Sequence, residues 1–330
     1  MDKKILIISE EQDSSTNTVL KWIKHLGGTY LRINDTSKLT LKNIKLNTEF
    51  DDVIFEYDGF IYKMSEFTGY WYRRGRMNFQ YEYFNFSNKS IENSVNRMLN
   101  NEHTYVNNYI YEYVEKNKKI KSIGSIHNNK INKITALLKA KQYGLEIPDT
   151  LITSSKKELL LFKNKHKKIL TKPIYQRGLE FSTEDNILTG LSSILTDDDI
   201  LNANDSFSLS LIQVYVEKKI ELRIFFLGNK FFSSAIFSQN DEMTKIDFRN
   251  YNWEKPNRTP PYDLPNRIEK KIKSCMKALN LNSGSIDMIV TPNDDYIFLE
   301  VNPVGMFWQV SFPCNYNIEE QIAKYLLDEQ

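Results

Sequence analysis

One stretch constrains the fold of this chain more than any other. It runs from Gly284 through Ser285-Ile286-Asp287-Met288-Ile289-Val290, turns at Thr291-Pro292-Asn293-Asp294-Asp295, and continues as Tyr296-Ile297-Phe298-Leu299-Glu300-Val301-Asn302-Pro303. The pattern reads as two strands joined by a turn. Strand side chains alternate between faces. Ile286, Met288, Val290, Ile297, Leu299 and Val301 are therefore expected on one apolar face, and Asp287, Glu300 and Asn302 on the other. A two-residue turn at Asn293-Asp294 sets Asp287 opposite Glu300. Like charges facing each other across two strands repel unless a cation lies between them. Mg²⁺ prefers oxygen ligands, commonly one or two carboxylates together with substrate phosphates. Taken alone, the stretch is equally a half-buried hairpin with a solvated acidic face, because alternation indicates only a sheet with one wet side.

The totals narrow the class. A chain of 330 residues allows two or three domains. A hydrophobic content of 41% with 13% aromatics suits a soluble globular protein with a substantial core. The net charge of +2 gives no electrostatic case for nucleic acid. The two cysteines, Cys275 and Cys314, are far apart, which fits a reducing cytoplasm and excludes a disulfide framework. The first residues, Met1 to Ile8, do not read as a signal peptide, and no apolar run approaches the length of a membrane span.

Along the chain, residues 1–120 read as a small α/β unit. A buried strand at Ile5–Ser9 precedes a helix over Thr16–Leu26 that Gly27-Gly28 ends. Tyr57-Asp58-Gly59 marks a hairpin. Gly69-Tyr70-Trp71-Tyr72-Arg73-Arg74-Gly75 is an aromatic strand ending in two arginines, and a long helix is expected from about Ser90 to Glu115. Residues 121–205 form a compact α+β subdomain, and residues 206–330 are rich in sheet. Neither one-line nucleotide fingerprint, Gly-x-Gly-x-x-Gly after the first strand or Gly-x-x-x-x-Gly-Lys-Ser/Thr, is present.

Several residues invite chemistry. Lys172 lies inside the apolar run Ile169-Leu170-Thr171-Lys172-Pro173-Ile174. A buried lysine needs a partner, and a triphosphate would supply one; a wet strand face is the simpler explanation. Lys133, just after Asn132 at a helix start, poses the same choice. Gln213-Val214-Tyr215-Val216 ends a hydrophobic strand and either offers backbone groups to an adenine edge or is ordinary core. Glu221-Leu222-Arg223 and Asp247-Phe248-Arg249 each place an acid and a base on one strand face. Arginine suits phosphate and carboxylate, although two cross-strand ion pairs account for either pattern alone. The four histidines show no metal spacing, and no Gly-x-Ser-x-Gly elbow is present.

Taken in order, these pieces resemble the ATP-grasp ligases over nearly the whole chain. The resemblance implies a mixed α/β and α+β ATP-grasp fold: an N-terminal α/β domain at 1–120, a central lid subdomain at 121–205 and a C-terminal antiparallel-sheet domain at 206–330. It implies that Lys133 and Lys172 contact ATP, that Gln213, Tyr215 and Val216 border the adenine, and that Glu221 lies near the ribose. It assigns Asp287, Glu300 and Asn302, in Phe-Leu-Glu-Val-Asn-Pro, to Mg²⁺, with two ions expected.

A narrower likeness, carried by Tyr70-Trp71-Tyr72-Arg73-Arg74, Glu221-Leu222-Arg223, Asp247-Phe248-Arg249-Asn250 and Phe298 to Gly305, is to the graspetide synthetases, the microviridin-type and grasp-with-spasm peptide maturases. That branch implies a precursor peptide with leader and core as partner, and a cytoplasmic homodimer that uses neither nucleic acid nor membrane. Its chemistry joins Asp or Glu side chains to Ser, Thr or Lys. Arg249 would hold the carboxylate, Arg223 would assist, and Glu221 would bind ribose or act as general base. Ser238–Pro265 is the expected leader grip. Tyr175-Gln176-Arg177-Gly178 departs from the branch, with a single glycine where a glycine-rich phosphate loop is common. The alternatives are a carboxylate–amine ligase for a small molecule or a protein tail, and a non-catalytic ATP-binding protein.

Overall fold

The structure, a computed structural model, describes residues 3–47, 51–175, 180–182, 187–189, 192–240, 254 and 256–329. Through their internal contacts the residues form two compact units, one of Met1–Asn129 with Asn317–Gln330 and one of Lys130–Tyr316.

The first unit holds a parallel sheet in the order Thr29–Asn34, Lys4–Ser9, Gly69–Tyr72, Lys121–Ile123. Ile5, Leu6, Ile7 and Ile8 are all fully buried, as a strand covered on both faces requires. The helix Ser14–His25 starts where the Asp13 side chain accepts from the Thr16 amide, and it buries Val19, Leu20 and Ile23. The last helix of the chain, Ile318–Leu326, packs against it. That helix therefore joins the first unit and not the sheet that precedes it in sequence. Gly69 permits its approach: a Cβ there would lie 2.9 Å from the Leu326 carbonyl oxygen. The expected hairpin at Asp58-Gly59 is present, with both residues left-handed (φ 53° and 76°) between Tyr57 and Phe60. The long helix spans Lys89–Lys116.

The second unit contains two four-stranded sheets. One is antiparallel, ordered Ser193–Ile194, Ile169–Lys172, Ser206–Val214, Thr150–Ser155. Its small core gathers Leu159, Ile169, Ile200 and Ile212. The strand beginning at Ser206 thus completes the sheet of the central segment, because its apolar face is needed there to cover Ile169 and Leu159. The other sheet is also antiparallel, ordered Lys230–Ile236, Ile220–Leu227, Ser283–Val290, Tyr296–Asn302. The helices Lys133–Gln142 and Asn266–Ala278 close its apolar face, which includes Leu222, Ile224, Ile286, Met288 and Phe298. Each such fully buried side chain contributes about 1.5–3 kcal/mol.

The central hairpin departs from simple alternation. Val290 pairs with Tyr296, Ile289 with Ile297 and Met288 with Phe298, so the turn takes five residues, Thr291 to Asp295, and not two. The register then shifts, and Asp287 pairs with Glu300, Ile286 with Val301 and Ser285 with Asn302. Leu299 is the extra residue of a β-bulge. A one-residue slip exchanges the two faces of a strand. Tyr296 and Phe298 consequently join the core in place of the expected Ile297 and Leu299, and Leu299 is only half-buried.

Candidate functional site

The polar face of the C-terminal sheet carries a row of charge. Arg223, Asp287 and Glu300 occupy facing positions on three adjacent strands. Arg223 Nη1 donates to Asp287 Oδ1 at 2.6 Å and Oδ2 at 2.7 Å, with both side chains nearly buried. The cross-strand ion pair that the sequence allowed for Arg223 is therefore formed, and its partner is one of the expected metal ligands. Lys133 meets Glu300 at 3.3 Å on the sheet's edge strand, and its ammonium also donates to the Pro173 carbonyl at 3.1 Å. Asn132 sets this lysine in place, since its side chain caps the helix by accepting from the amides of Ile134 and Thr135. Lys172, half-buried, ends its strand opposite Leu211 and immediately precedes Pro173. Lys133, the end of the lysine strand and Glu300 thus converge.

Asn302 lies two residues beyond Glu300 on the same strand, exposed, and its Oδ1 accepts from the Val304 amide at 3.1 Å. The following loop folds back onto the sheet. Gly305 approaches Ser285 so closely that a Cβ would lie 2.3 Å from the serine side chain, and Ser285 Oγ donates to the Met306 carbonyl. Glycine is the residue for such an approach. Two carboxylates and an amide carbonyl form a hard-oxygen donor set of the kind Mg²⁺ takes, and Asp287 and Glu300 share a cross-strand position. The donor set fits the ion. Among the described residues no group of three or more His, Cys, Asp or Glu side chains offers another metal centre.

Glu221 is buried and stands apart from this row. Its Oε1 accepts from Lys218 Nζ at 2.7 Å and from Ser238 Oγ at 2.6 Å. Lys218, itself 7% exposed, and Ser238 were not singled out from the sequence. The signal lay in the spacing of Lys218 and Glu221, a base three residues before an acid at the start of a core strand. Gln213 Nε2 donates to Thr150 Oγ1 at 2.8 Å, and the Tyr215 amide donates to the Lys168 carbonyl. Those two groups tie the strand end to its own sheet. Val216 follows, half-buried, past the end of the strand. Arg249, with Asp247 and Asn250, lies outside the described residues, as do Arg177 and Gly178.

No family model matches the chain, and no curated protein sequence matches it. Among solved structures it is similar to the macrocyclase MdnC of Microcystis aeruginosa MRC, bound with precursor peptide MdnA. The identity is 26%, the TM-score 0.75, and the likeness covers 99% of this chain and 100% of that one. The chain has the fold of the RiPP ATP-grasp macrocyclases. It is also similar to the Chryseobacterium gregarium RiPP-associated ATP-grasp ligase in complex with ADP and a leader and core peptide, at 24% identity and TM-score 0.75, over 99% of this chain and 96% of that one. The ATP-grasp ligase PsnB, complexed with a phosphomimetic variant of its minimal precursor, Mg and ADP, shares the fold at 13% identity and TM-score 0.70, over 99% of both chains. The expected α/β and α+β ATP-grasp architecture is thus the observed one. No helix among the described residues is long and apolar enough to cross a membrane.

Proposed function

We propose that this ATP-dependent peptide macrocyclase activates Asp or Glu side chains of a precursor peptide as acyl phosphates and joins them to Ser, Thr or Lys side chains. The observation that carries the reading is the likeness over essentially the whole chain to a macrocyclase bound with its precursor peptide. The carboxylate attacks the γ-phosphorus of ATP and ADP leaves. A hydroxyl or amine then attacks the acyl carbon, loses its proton and expels phosphate, so each ring removes one water in net. Lys133 and Lys172 bind the phosphates, and Gln213, Tyr215 and Val216 border the adenine. Arg249 holds the acceptor carboxylate with help from Arg223. Asp287, Glu300 and Asn302 would hold Mg²⁺, two ions in this reading, which would supply positive charge against the transferred phosphoryl group.

Glu221 serves the ribose or the nucleophile's proton. Lys218 and Ser238, which donate to Oε1, hold the carboxylate in place for either role. A leader segment grips the enzyme near Ser238–Pro265, much of which lies outside the described residues. Tyr262 is not an exposed contact there: its ring packs against the core and its hydroxyl bonds that of Tyr296 at 2.5 Å. Arg258, which is exposed, remains a candidate for the grip. A cytoplasmic homodimer completes the reading.

The test is a mass measurement. A full precursor incubated with ATP and Mg²⁺ should lose one water per ring. A core peptide without its leader should react poorly, and leader supplied separately should partly restore the rate. Equal reaction of leaderless peptide and of free amino acids would instead indicate a small-molecule carboxylate–amine ligase.

A further inference from the structure

The strand Ile220–Leu227 carries Glu221, Arg223 and Phe225 on one face of its sheet. Arg223 belongs to the charged row with Asp287 and Glu300. The next row along the strands is Phe225, Ser285 and Asn302, again in facing positions. Glu221 therefore lies about 7 Å to one side of the charged row, and Phe225 about 7 Å to the other.

The second row is covered by the chain that follows it. The Gly305 amide donates to the Asn302 carbonyl at 3.1 Å, and Ser285 Oγ donates to the Met306 carbonyl at 3.2 Å. Phe307 is buried and packs its ring on that of Phe225, with centroids 5.5 Å apart. The helix Trp308–Cys314 comes next and rests on the strands Lys230–Ile236 and Ile220–Leu227, burying Val310, Ser311 and Cys314. What this anchored segment leaves in water is apolar. Met306 is 40%, Trp308 50% and Phe312 87% exposed. Trp308 and Phe312 are four residues apart and share one helix face. Neighbouring large apolar side chains held out on a fixed support mark a binding surface.

We propose that Met306, Trp308 and Phe312 form a ledge that selects an apolar peptide residue two positions from the reacting Asp or Glu. The proposal deepens the macrocyclase reading and rests on its placement of the ribose at Glu221. Phosphoryl transfer sets the attacking and leaving oxygens roughly in line. With the nucleoside on the Glu221 side of the charged row, the attacking carboxylate comes from the Phe225 side, which is the side of the ledge. In an extended peptide, side chains two residues apart point the same way at a spacing of about 7 Å, which is one row of this sheet. A peptide whose acceptor reaches the charged row thus lays the side chain two positions away over the ledge. An aromatic and thioether surface favours Phe, Leu or Met there over Ser or Asp. Met306 follows Asn302, an assigned Mg²⁺ ligand, by four residues, so selection and chemistry share one short stretch of chain.

The experiment is a binding measurement by fluorescence anisotropy on the full chain with ADP and Mg²⁺. The probes are two fluorescein-labelled peptides, Phe-Gly-Glu-Gly-Phe and Ser-Gly-Glu-Gly-Ser, each flanked by Gly-Ser. The phenylalanine peptide should bind roughly tenfold more tightly, as burial of one aromatic side chain allows. Trp308→Ser and Phe312→Ser should each reduce that ratio by roughly threefold or more. Neither should alter binding of the serine peptide or of ADP, and the circular-dichroism melting curve should stay in place because both side chains are exposed. Equal binding of the two peptides by the wild type, or a preference that survives both variants, overturns the ledge. The macrocyclase reading fails separately, on the mass of the product. A phenylalanine preference lost in the variants, with no water lost from the precursor, would keep the ledge as a peptide site and overturn the reaction.

Discussion

Arg223 directs one guanidinium nitrogen at both oxygens of Asp287, across two adjacent strands and almost out of reach of water. Breaking such a pair by removing one partner leaves a buried charge uncompensated, which costs about 3–5 kcal/mol. Asp287→Asn is therefore expected to lower the stability of the protein by that order in urea denaturation. The double variant Arg223→Met/Asp287→Leu should recover most of the loss, because an apolar pair of similar volume is tolerated. Simple addition of the two single losses would show that the pair is not what holds this part of the sheet.

Glu300 and Asn302 are less buried than Asp287 and sit on the polar face, away from the packed side chains. Glu300→Gln and Asn302→Ala should keep the unfolding free energy within about 1 kcal/mol of wild type, as partly exposed substitutions do. Both should lose nearly all ligase turnover, read as ADP release with the precursor peptide at saturating Mg²⁺. Full turnover in either variant would remove that residue from the metal assignment.

Lys172→Met retains much of the side chain's length and apolar bulk while deleting its charge. Nucleotide affinity should fall at least tenfold, about 1.4 kcal/mol, in titration calorimetry. Unchanged affinity would return Lys172 to the role of a solvated strand residue.

The two thiols supply a pH prediction. Burial pushes the pKa of both Cys275 and Cys314 up to about 11 from the model-compound value of 9.0. At pH 8 each native thiol is ionised to about one part in a thousand, so aromatic disulfide reagents should titrate both groups slowly until denaturant is added. The sign for stability follows from the raised folded value. The contribution is fully present below pH 9 and is lost as the pH rises from 9 towards 11. Rapid native modification of two thiols at pH 8 would contradict the burial.

Much of the site was legible in the sequence because strand alternation is a short-range rule. Asp287 and Glu300 were placed opposite each other from the chain alone, and they are. The reason differs from the one expected. The longer turn moves the register by one residue, and the bulge at Leu299 moves it back. Bulges leave little trace in a run as uniformly apolar as Tyr296-Ile297-Phe298-Leu299, so alternation puts Leu299 on the apolar face where the structure has Phe298. The association of Ser206–Val214 with the central sheet and of Ile318–Leu326 with the first unit depends on pairing between distant segments, which no local pattern specifies. Lysines are abundant along the chain, so no local pattern by itself marks Lys218 as the buried partner of Glu221.

The bulge at Leu299 also separates two parts of the hairpin that could otherwise not vary independently. Between it and the tip, strand parity is set by the turn. Between it and the base, parity is set by the pairing of Asp287 with Glu300. Insertions in Thr291–Asp295 should thus be absorbed locally, and removal of Leu299 alone would leave a regular ladder in which Phe298 still faces the core and Glu300 still faces Asp287. The tip can thus lengthen, and the extra residue can be lost, without moving either carboxylate to the other face of the sheet.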